Sequence, residues 1–331
     1  MDVLVIGGTR FLGRQVALRL VAAGHRVTLF NRGSGSFPLA DRVEWVRGDR
    51  HTDDLAQLLS ARAFDATVDL VAYDGTDVGA LLPAIRAGRA GHYVFISSGQ
   101  VYLVREGCPR PSREEHYDGA VIPAPSDPAD LAEWRYGVGK RDAEDLLADP
   151  ALPVTRLRLP MVNGERDYHR RVEGYLWRVL DGEAVLLPRA DLPTRHVYHD
   201  DVARAVASLL GRSDTYGRAF NLAQSESPTL RELVAHIADH VGAPCRAVDV
   251  PARAITDAGL TLKHVSPFSN PWMSFVDPSA AVRELGFAHT PPREYLGRVV
   301  ASILAHPPAD HPEGYARRAD EVALARSLAA S

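Results

Sequence analysis

Short apolar runs recur along the first half of the chain, separated by segments whose apolar positions fall at helical spacing. Residues 3–6 are apolar throughout, the pattern of a strand buried on both faces of a sheet. Phe11, Leu12, Val16, Leu20 and Val21 then repeat with the period of a helix, and Gly24 stands where a helix ends. Further strands are predicted at 26–30, 43–46, 67–71, 93–97 and 154–159, with helices near 53–59, 77–87 and 131–147. Strands alternating with helices imply a parallel sheet joined by crossover helices. A proline-rich stretch, 108–128, reads as a surface loop over the site. Beyond Pro160 the pattern loosens, with helices predicted at 173–180, 201–210 and 230–241 and a helical tail after Ala305. The expected fold is α/β: a doubly wound parallel sheet over 1–160, with a return segment at about 196–225. A smaller mixed domain, about 161–195 and 226–331, is expected to shape a substrate pocket.

Composition narrows the class. The chain has 331 residues with 46% hydrophobic content, enough for a sizeable core. Charged residues make up 24% and the net charge is −4, which argues against a general nucleic-acid binder. Cys108 and Cys245 are the two cysteines, with no CxxC pair, so neither a disulfide framework nor a cysteine-rich metal site is expected. The first strand lies at the N-terminus without a basic flank or a longer apolar run, so no secretory signal is expected, and no apolar run approaches the roughly 20 residues of a bilayer span. A cytoplasmic, soluble protein acting on a small molecule is the expectation, with no nucleic-acid or membrane partner.

Three motifs carry chemistry. The turn from Gly7 through Gly8, Thr9, Arg10, Phe11 and Leu12 to Gly13 lies between the first strand and first helix. A dinucleotide pyrophosphate docks in such a turn, where glycine permits close approach and the helix N-terminus favours the anion. The usual spacing puts a third glycine at position 10, which here is Arg10. The second strand ends Phe30-Asn31-Arg32-Gly33 without the carboxylate that would grip the ribose hydroxyls of NAD. Arg32, with Arg10, is placed to pair with the 2′-phosphate of NADP, so NADP(H) is favoured. Asn31 holding the ribose of NAD(H), with Arg32 solvated, stays open as the alternative. Asp49 after the third strand is a candidate acceptor for the adenine amino group, or a turn residue.

Tyr136-Gly137-Val138-Gly139-Lys140 sets a phenol and an ammonium at i and i+4, on one face of a predicted helix. The ammonium favours the phenolate, lowering the tyrosine from about 10 towards a working pH and suiting it to proton transfer. Ser98, at the end of the fifth strand, is a candidate to orient the substrate oxygen towards Tyr136, because sites in open parallel sheets lie outside those strand ends.

These residues resemble the extended short-chain dehydrogenase/reductase superfamily, the NAD-dependent epimerase/dehydratase family. The resemblance extends through Arg158-Leu159-Pro160, His199-Asp200-Asp201-Val202-Ala203, Ala219-Phe220-Asn221-Leu222 and the 277–287 segment. It implies a Rossmann-type fold, Ser98, Tyr136 and Lys140 as a catalytic triad, Leu70, Pro160 and Val162 as further cofactor contacts, Gln100, Asn163 and Arg195 as substrate contacts, and a homodimer. Dehydratases of the family carry Asp-Glu after the catalytic hydroxyl residue, where this chain has Gly99-Gln100, so dehydration is disfavoured. Sugar-nucleotide epimerases place an arginine where Thr194 stands here, with Arg195 displaced by one. The resemblance therefore implies an NAD(P)-dependent oxidoreductase interconverting a carbonyl and an alcohol. NADPH-dependent ketone reduction is the first choice, and NAD-dependent epimerisation the alternative. A dinucleotide-sensing regulator or RNA-associated role, found in the atypical branch whose glycine turn this one resembles, is a third. His236 and His240 share a helix face but lack the glutamate of a metalloprotease motif, so no metal is expected.

Overall fold

The computed structural model describes residues 1–33 and 37–329. In chain order the first elements are β1 (Asp2–Ile6), α1 (Phe11–Ala22), β2 (Arg26–Asn31), β3 (Glu44–Arg47), α2 (Asp54–Ala61) and β4 (Ala66–Asp69). There follow α3 (Gly75–Gly79), α4 (Leu82–Arg86), β5 (His92–Ser98), α5 (Gln100–Leu103), α6 (Pro128–Leu146) and β6 (Val154–Leu159). The remainder comprises β7 (Val162–Asn163), α7 (Arg171–Leu180), β8 (Val185–Leu187), β9 (Val197–Tyr198), α8 (His199–Leu209) and β10 (Arg218–Asn221). Last come α9 (Leu230–Val241), β11 (Ala247–Asp249), α10 (Ala252–Asp257), α11 (Leu262–Val265), α12 (Pro292–Ala305) and α13 (Arg318–Ala329).

The chain divides into two compact units. The first holds Met1–Val162, His199–Ala223 and Ser274–His289. Its seven strands pair in the order β10-β6-β5-β4-β1-β2-β3, all parallel, a Rossmann-type sheet. Val3, Leu4, Val5 and Phe95 are fully buried, because helices cover both faces of a parallel sheet. Strand order reverses between β1 and β4, and in open parallel sheets ligands bind outside the C-terminal strand ends at such a reversal.

Three details depart from the sequence reading. The helix expected at 77–87 is broken into α3 and α4, since Pro83 supplies no amide hydrogen and its ring disfavours a continuous helix through the residues before it. Asp200 directly precedes the helix predicted at 201–210, the place of an N-cap, yet it lies inside the first turn of α8. Its buried carboxylate instead accepts from Arg19 Nε at 2.7 Å and Gln15 Nε2 at 2.5 Å, tying α8 to α1. Segment Ser274–His289, expected in the second domain, packs with the first unit. There Ser112 bridges to Val276, Asn221 Nδ2 donates to the Asp277 carbonyl at 3.2 Å, and a side chain at Gly99 would strike Ser274.

A buried ion pair fastens α6 to β6. Glu144 accepts from Arg158 Nε at 3.0 Å and Nη2 at 2.7 Å, and from Ser97 Oγ at 2.5 Å. Burial alone would raise the Glu144 carboxyl, but the Arg158 charge and hydrogen bonds outweigh it and hold the group below its usual range. Arg158 also donates to the Tyr102 hydroxyl at 2.7 Å.

The second unit holds Asn163–Tyr198, Gln224–Met273 and Thr290–Ser331. A capping box starts α9: Glu232 N donates to Thr229 Oγ1, Thr229 N donates to Glu232 Oε2, and left-handed Gly242 ends the helix. Parallel β8 and β11 form a small sheet. Buried Arg178 of α7 donates to Glu321 Oε2 of α13 at 2.8 Å, anchoring the terminal helix in this unit.

Removing one partner of a buried pair strands the other charge. Glu144→Ala is expected to cost roughly 3–5 kcal/mol in urea unfolding at neutral pH; a loss below ~1 kcal/mol would show that Arg158 finds other compensation.

Candidate active site

The glycine turn stands at the sheet's reversal point. Gly7 and Gly8 adopt φ of +103° and +89°, a region that side chains rarely enter. A Cβ on Gly13 would come within 2.9 Å of Gly8 N, and one on Gly8 within 2.9 Å of Leu29 Cδ2. The cradle is thus open only because these positions lack side chains. No acidic residue occupies the first turn of α1, so the helix start favours an anion. These features fit a dinucleotide pyrophosphate. Arg10 is exposed with extended backbone, which needs no glycine, and Phe11 takes the left-handed conformation at φ 40°. Half-buried Leu12 and Thr9 belong to the same turn, and Leu70 follows β4 with its Cβ 3.6 Å from the place of a Gly7 side chain.

At the end of β2 the Asn31 side chain is occupied by the protein. Its carbonyl accepts from Gly33 N at 2.8 Å and Trp45 Nε1 at 3.0 Å, and its amide donates to the Gly7 carbonyl at 3.2 Å. Arg32 is exposed beside it. Arg47 of β3, overlooked in the sequence, lies in register with Asn31, and its side chain runs along Gly33, where a Cβ would meet Nε at 2.8 Å. Strand register, invisible in one dimension, brings this second cation to the rim. Asp49 accepts from His51 N at 3.0 Å, so one carboxylate oxygen serves a local turn.

Ser98, Tyr136 and Lys140 all belong to the first unit. Ser98 ends β5, and its Oγ accepts from Gln100 N at 3.2 Å. Tyr136 is half-buried on α6, whereas Lys140 is only 3% exposed. Lys140 Nζ donates to the carbonyls of Ala72 at 2.6 Å and Ile96 at 2.9 Å and stands 5.8 Å from the Tyr136 ring centroid. Burial lowers the lysine to about 8, against the pull of Asp69 and Glu144. Fully buried Asp69 accepts from Val71 and Ala72 amides at 3.0 Å, from Tyr93 at 2.6 Å and from Arg50 at 2.9 Å. It thereby fixes the loop whose Ala72 carbonyl holds the lysine.

The two glycines between Tyr136 and Lys140 explain the fit. A Cβ at Gly137 would meet Val104 Cγ1 at 2.6 Å and the Gln100 carbonyl at 3.0 Å; one at Gly139 would meet the Tyr73 carbonyl at 2.8 Å. Each costs roughly 0.8–1.0 kcal/mol in helix propensity, a loss offset by the close approach of α6 to its neighbours.

Gln100, a candidate substrate contact, commits its amide to Glu133: Nε2 donates to the carboxylate Oε2 at 2.6 Å and to the backbone carbonyl at 3.2 Å. The carboxylate missing from positions 99–100 therefore approaches from α6 instead. Its sequence signal is a position one turn before Tyr136. Pro160 is buried and Val162 half-buried just beyond β6. In the second unit, Asn163 is buried against His196 Nδ1 at 2.9 Å, and Arg195 Nε donates to Ser227 Oγ at 3.0 Å. His240 Nε2 lies 2.7 Å from the Arg293 carbonyl. Among the described residues no cluster of three metal-ligating side chains occurs, and no helix is long and apolar enough to cross a membrane.

A family model described as the NAD dependent epimerase/dehydratase family matches residues 3–223. The chloroplast stem-loop binding protein of 41 kDa b of Arabidopsis thaliana is 26% identical over 257 residues, 73% of this chain and 64% of that protein. The chain thus matches less than two thirds of that relative's length. The 2'-dehydrokanamycin reductase of Streptomyces kanamyceticus is 29% identical, covering 76% of this chain and 70% of the reductase. Among solved structures, a UDP-glucose 4-epimerase of Thermotoga maritima superposes with a TM-score of 0.71 at 19% identity, over 92% of this chain and 99% of that one. At that identity the likeness concerns fold.

Lys140 has a linkage consequence. The unfolded chain keeps its proton to about 10.5, whereas the folded protein releases it near 8. Between those values the unfolded state binds more protons, so stability rises with pH. Urea unfolding from pH 7.5 to 10.5 is expected to show wild type gaining relative to Lys140→Met; parallel curves would place the lysine at its ordinary value.

Proposed function

The chain belongs to the NAD dependent epimerase/dehydratase family, and on that premise we propose that it reduces a ketone on a small molecule, using NADPH. The observation that carries this reading is the buried Lys140 set beside Tyr136, in a unit whose ribose rim holds Arg32 and Arg47 and no carboxylate at the end of β2. The residues of the glycine turn would hold the pyrophosphate, Leu70, Pro160 and Val162 the nicotinamide end, and Arg10, Arg32 and Arg47 a 2′-phosphate. When bound, the dinucleotide supplies a hydride.

The chain's own groups manage the proton. The Tyr136 phenol donates to the ketone oxygen as that oxygen gains negative charge, and the Lys140 ammonium stabilises the phenolate left behind. Two carbonyls take two of the three lysine hydrogens, leaving one for a ribose hydroxyl. Ser98 Oγ accepts from Gln100 N, which leaves its own hydrogen to donate to the substrate oxygen. The similarity to a dehydrokanamycin reductase supports reduction. Epimerisation with retained NAD is the second reading, prompted by the epimerase fold likeness. Against it, the Asn31 carbonyl that would grip ribose hydroxyls already accepts two protein hydrogens. Tightly bound NAD copurifying with the protein would favour epimerisation. A stem-loop binding role, suggested by the Arabidopsis relative, sits poorly with a net charge of −4 and an intact Tyr136–Lys140 pair.

Tyr136→Phe removes one proton and little else. Turnover is expected to fall at least ~10²-fold while dinucleotide affinity holds, read by absorbance kinetics and fluorescence titration; undiminished turnover refutes the assignment. Arg32→Ala is expected to weaken NADPH about tenfold or more and leave NADH nearly unaffected. Equal losses for both would remove Arg32 from phosphate recognition.

A further inference from the structure

The Glu133 carboxylate has a fixed place and no neutralising partner. The buried Gln100 amide donates to this carboxylate and to the Glu133 backbone carbonyl, which sets one rotamer of Glu133 rather than leaving it to sweep the surface. Gln100 also donates its backbone N–H to Ser98 Oγ, so the hydroxyl and the carboxylate are clamped by one residue. Glu133 precedes Tyr136 by three residues on α6, on the same helix face. Among the described residues no arginine, lysine or histidine lies within ion-pairing distance of it. The buried acids Asp69 and Asp77 face Arg50, Glu144 faces Arg158 and Asp200 faces Arg19, while half-buried Asp49 and Glu114 accept from the backbone amides of His51 and Asn221.

We infer that Glu133 seats a protonated amine of the substrate, so that the ketone reduced at Tyr136 belongs to an amino sugar or similar cationic polyol. The inference rests on the reductase reading for the reaction, while its own content is recognition of charge. A carboxylate with one neutral amide donor keeps several acceptor sites free, and an ammonium fills them while cancelling the charge. Holding the carboxylate in place beforehand lowers the ordering cost of binding. An anionic substrate gains nothing from such a group and is repelled by it, which separates amines from diphosphate-linked sugars.

The test uses the full chain with its dinucleotide and two probes, glucosamine and N-acetylglucosamine, at mildly acidic pH. Calorimetry is expected to give at least about tenfold tighter binding of the amine, a preference that shrinks with added salt. Glu133→Gln is expected to abolish that preference, and Glu133→Asp to restore part of it. In the alcohol-oxidising direction the same variants are expected to change the ratio of KM values for the two probes more than kcat. Equal binding of both probes by wild type overturns the inference, as does an undiminished preference in Glu133→Gln. The two readings fail separately. A Glu133-dependent amine preference without hydride transfer sinks the reductase and leaves the amine seat. Turnover without an amine preference does the reverse.

Discussion

The candidate site depends on one buried ammonium. Lys140 is buried, and the carbonyls of Ala72 and Ile96, with the negative charges of Asp69 and Glu144, make that position tolerable. Burial lowers its proton affinity, and the nearby charges pull the other way, leaving a lysine poised near 8. Everything around it serves that placement. Gly137 and Gly139 let α6 approach α5 and the 73–74 backbone, Asp69 fixes the loop after β4, and Arg50 balances Asp69. A side chain at either glycine would strike α5 and Val104 or the Tyr73 carbonyl.

The same economy of space governs the dinucleotide cradle. Gly8 and Gly13 nearly touch, so the turn after β1 presents backbone to a phosphate, and the acid-free start of α1 supplies favourable charge. The rim of this cradle is cationic, and Asn31 stabilises the turn with its own side chain rather than reaching outward. The sheet's reversal point brings the ends of β1 and β4 together, so Leu70 meets the glycine turn although 63 positions separate Leu70 from Gly7. Near Tyr136, Gln100 links Ser98 to Glu133, bringing a carboxylate from α6 to the 99–100 segment that itself has none.

How much of this was legible in one dimension depended on the range of the interaction. The alternation of apolar runs and helical stripes announced a parallel α/β sheet, because burial on both faces leaves an unmistakable pattern. The Gly7–Gly13 turn and the Tyr136–Lys140 spacing were visible because their chemistry is local. Pro83 was present in the sequence, yet its breaking of the 77–87 helix was missed. The role of Asp200 was misread, since its partners Gln15 and Arg19 lie on a distant helix.

The sequence by itself determined the fold class, the glycine turn after β1 and the Tyr136–Lys140 pair, all of which follow from periodicity and short-range spacing. Only the tertiary structure decided what surrounds them. Strand register brought Arg47 to Asn31, loop packing gave Lys140 its acceptors, and the approach of α5 to α6 joined Gln100 to Glu133. Such pairings join residues far apart in the chain, and their geometry is set by sheet order and close packing, which no spacing along a single chain encodes.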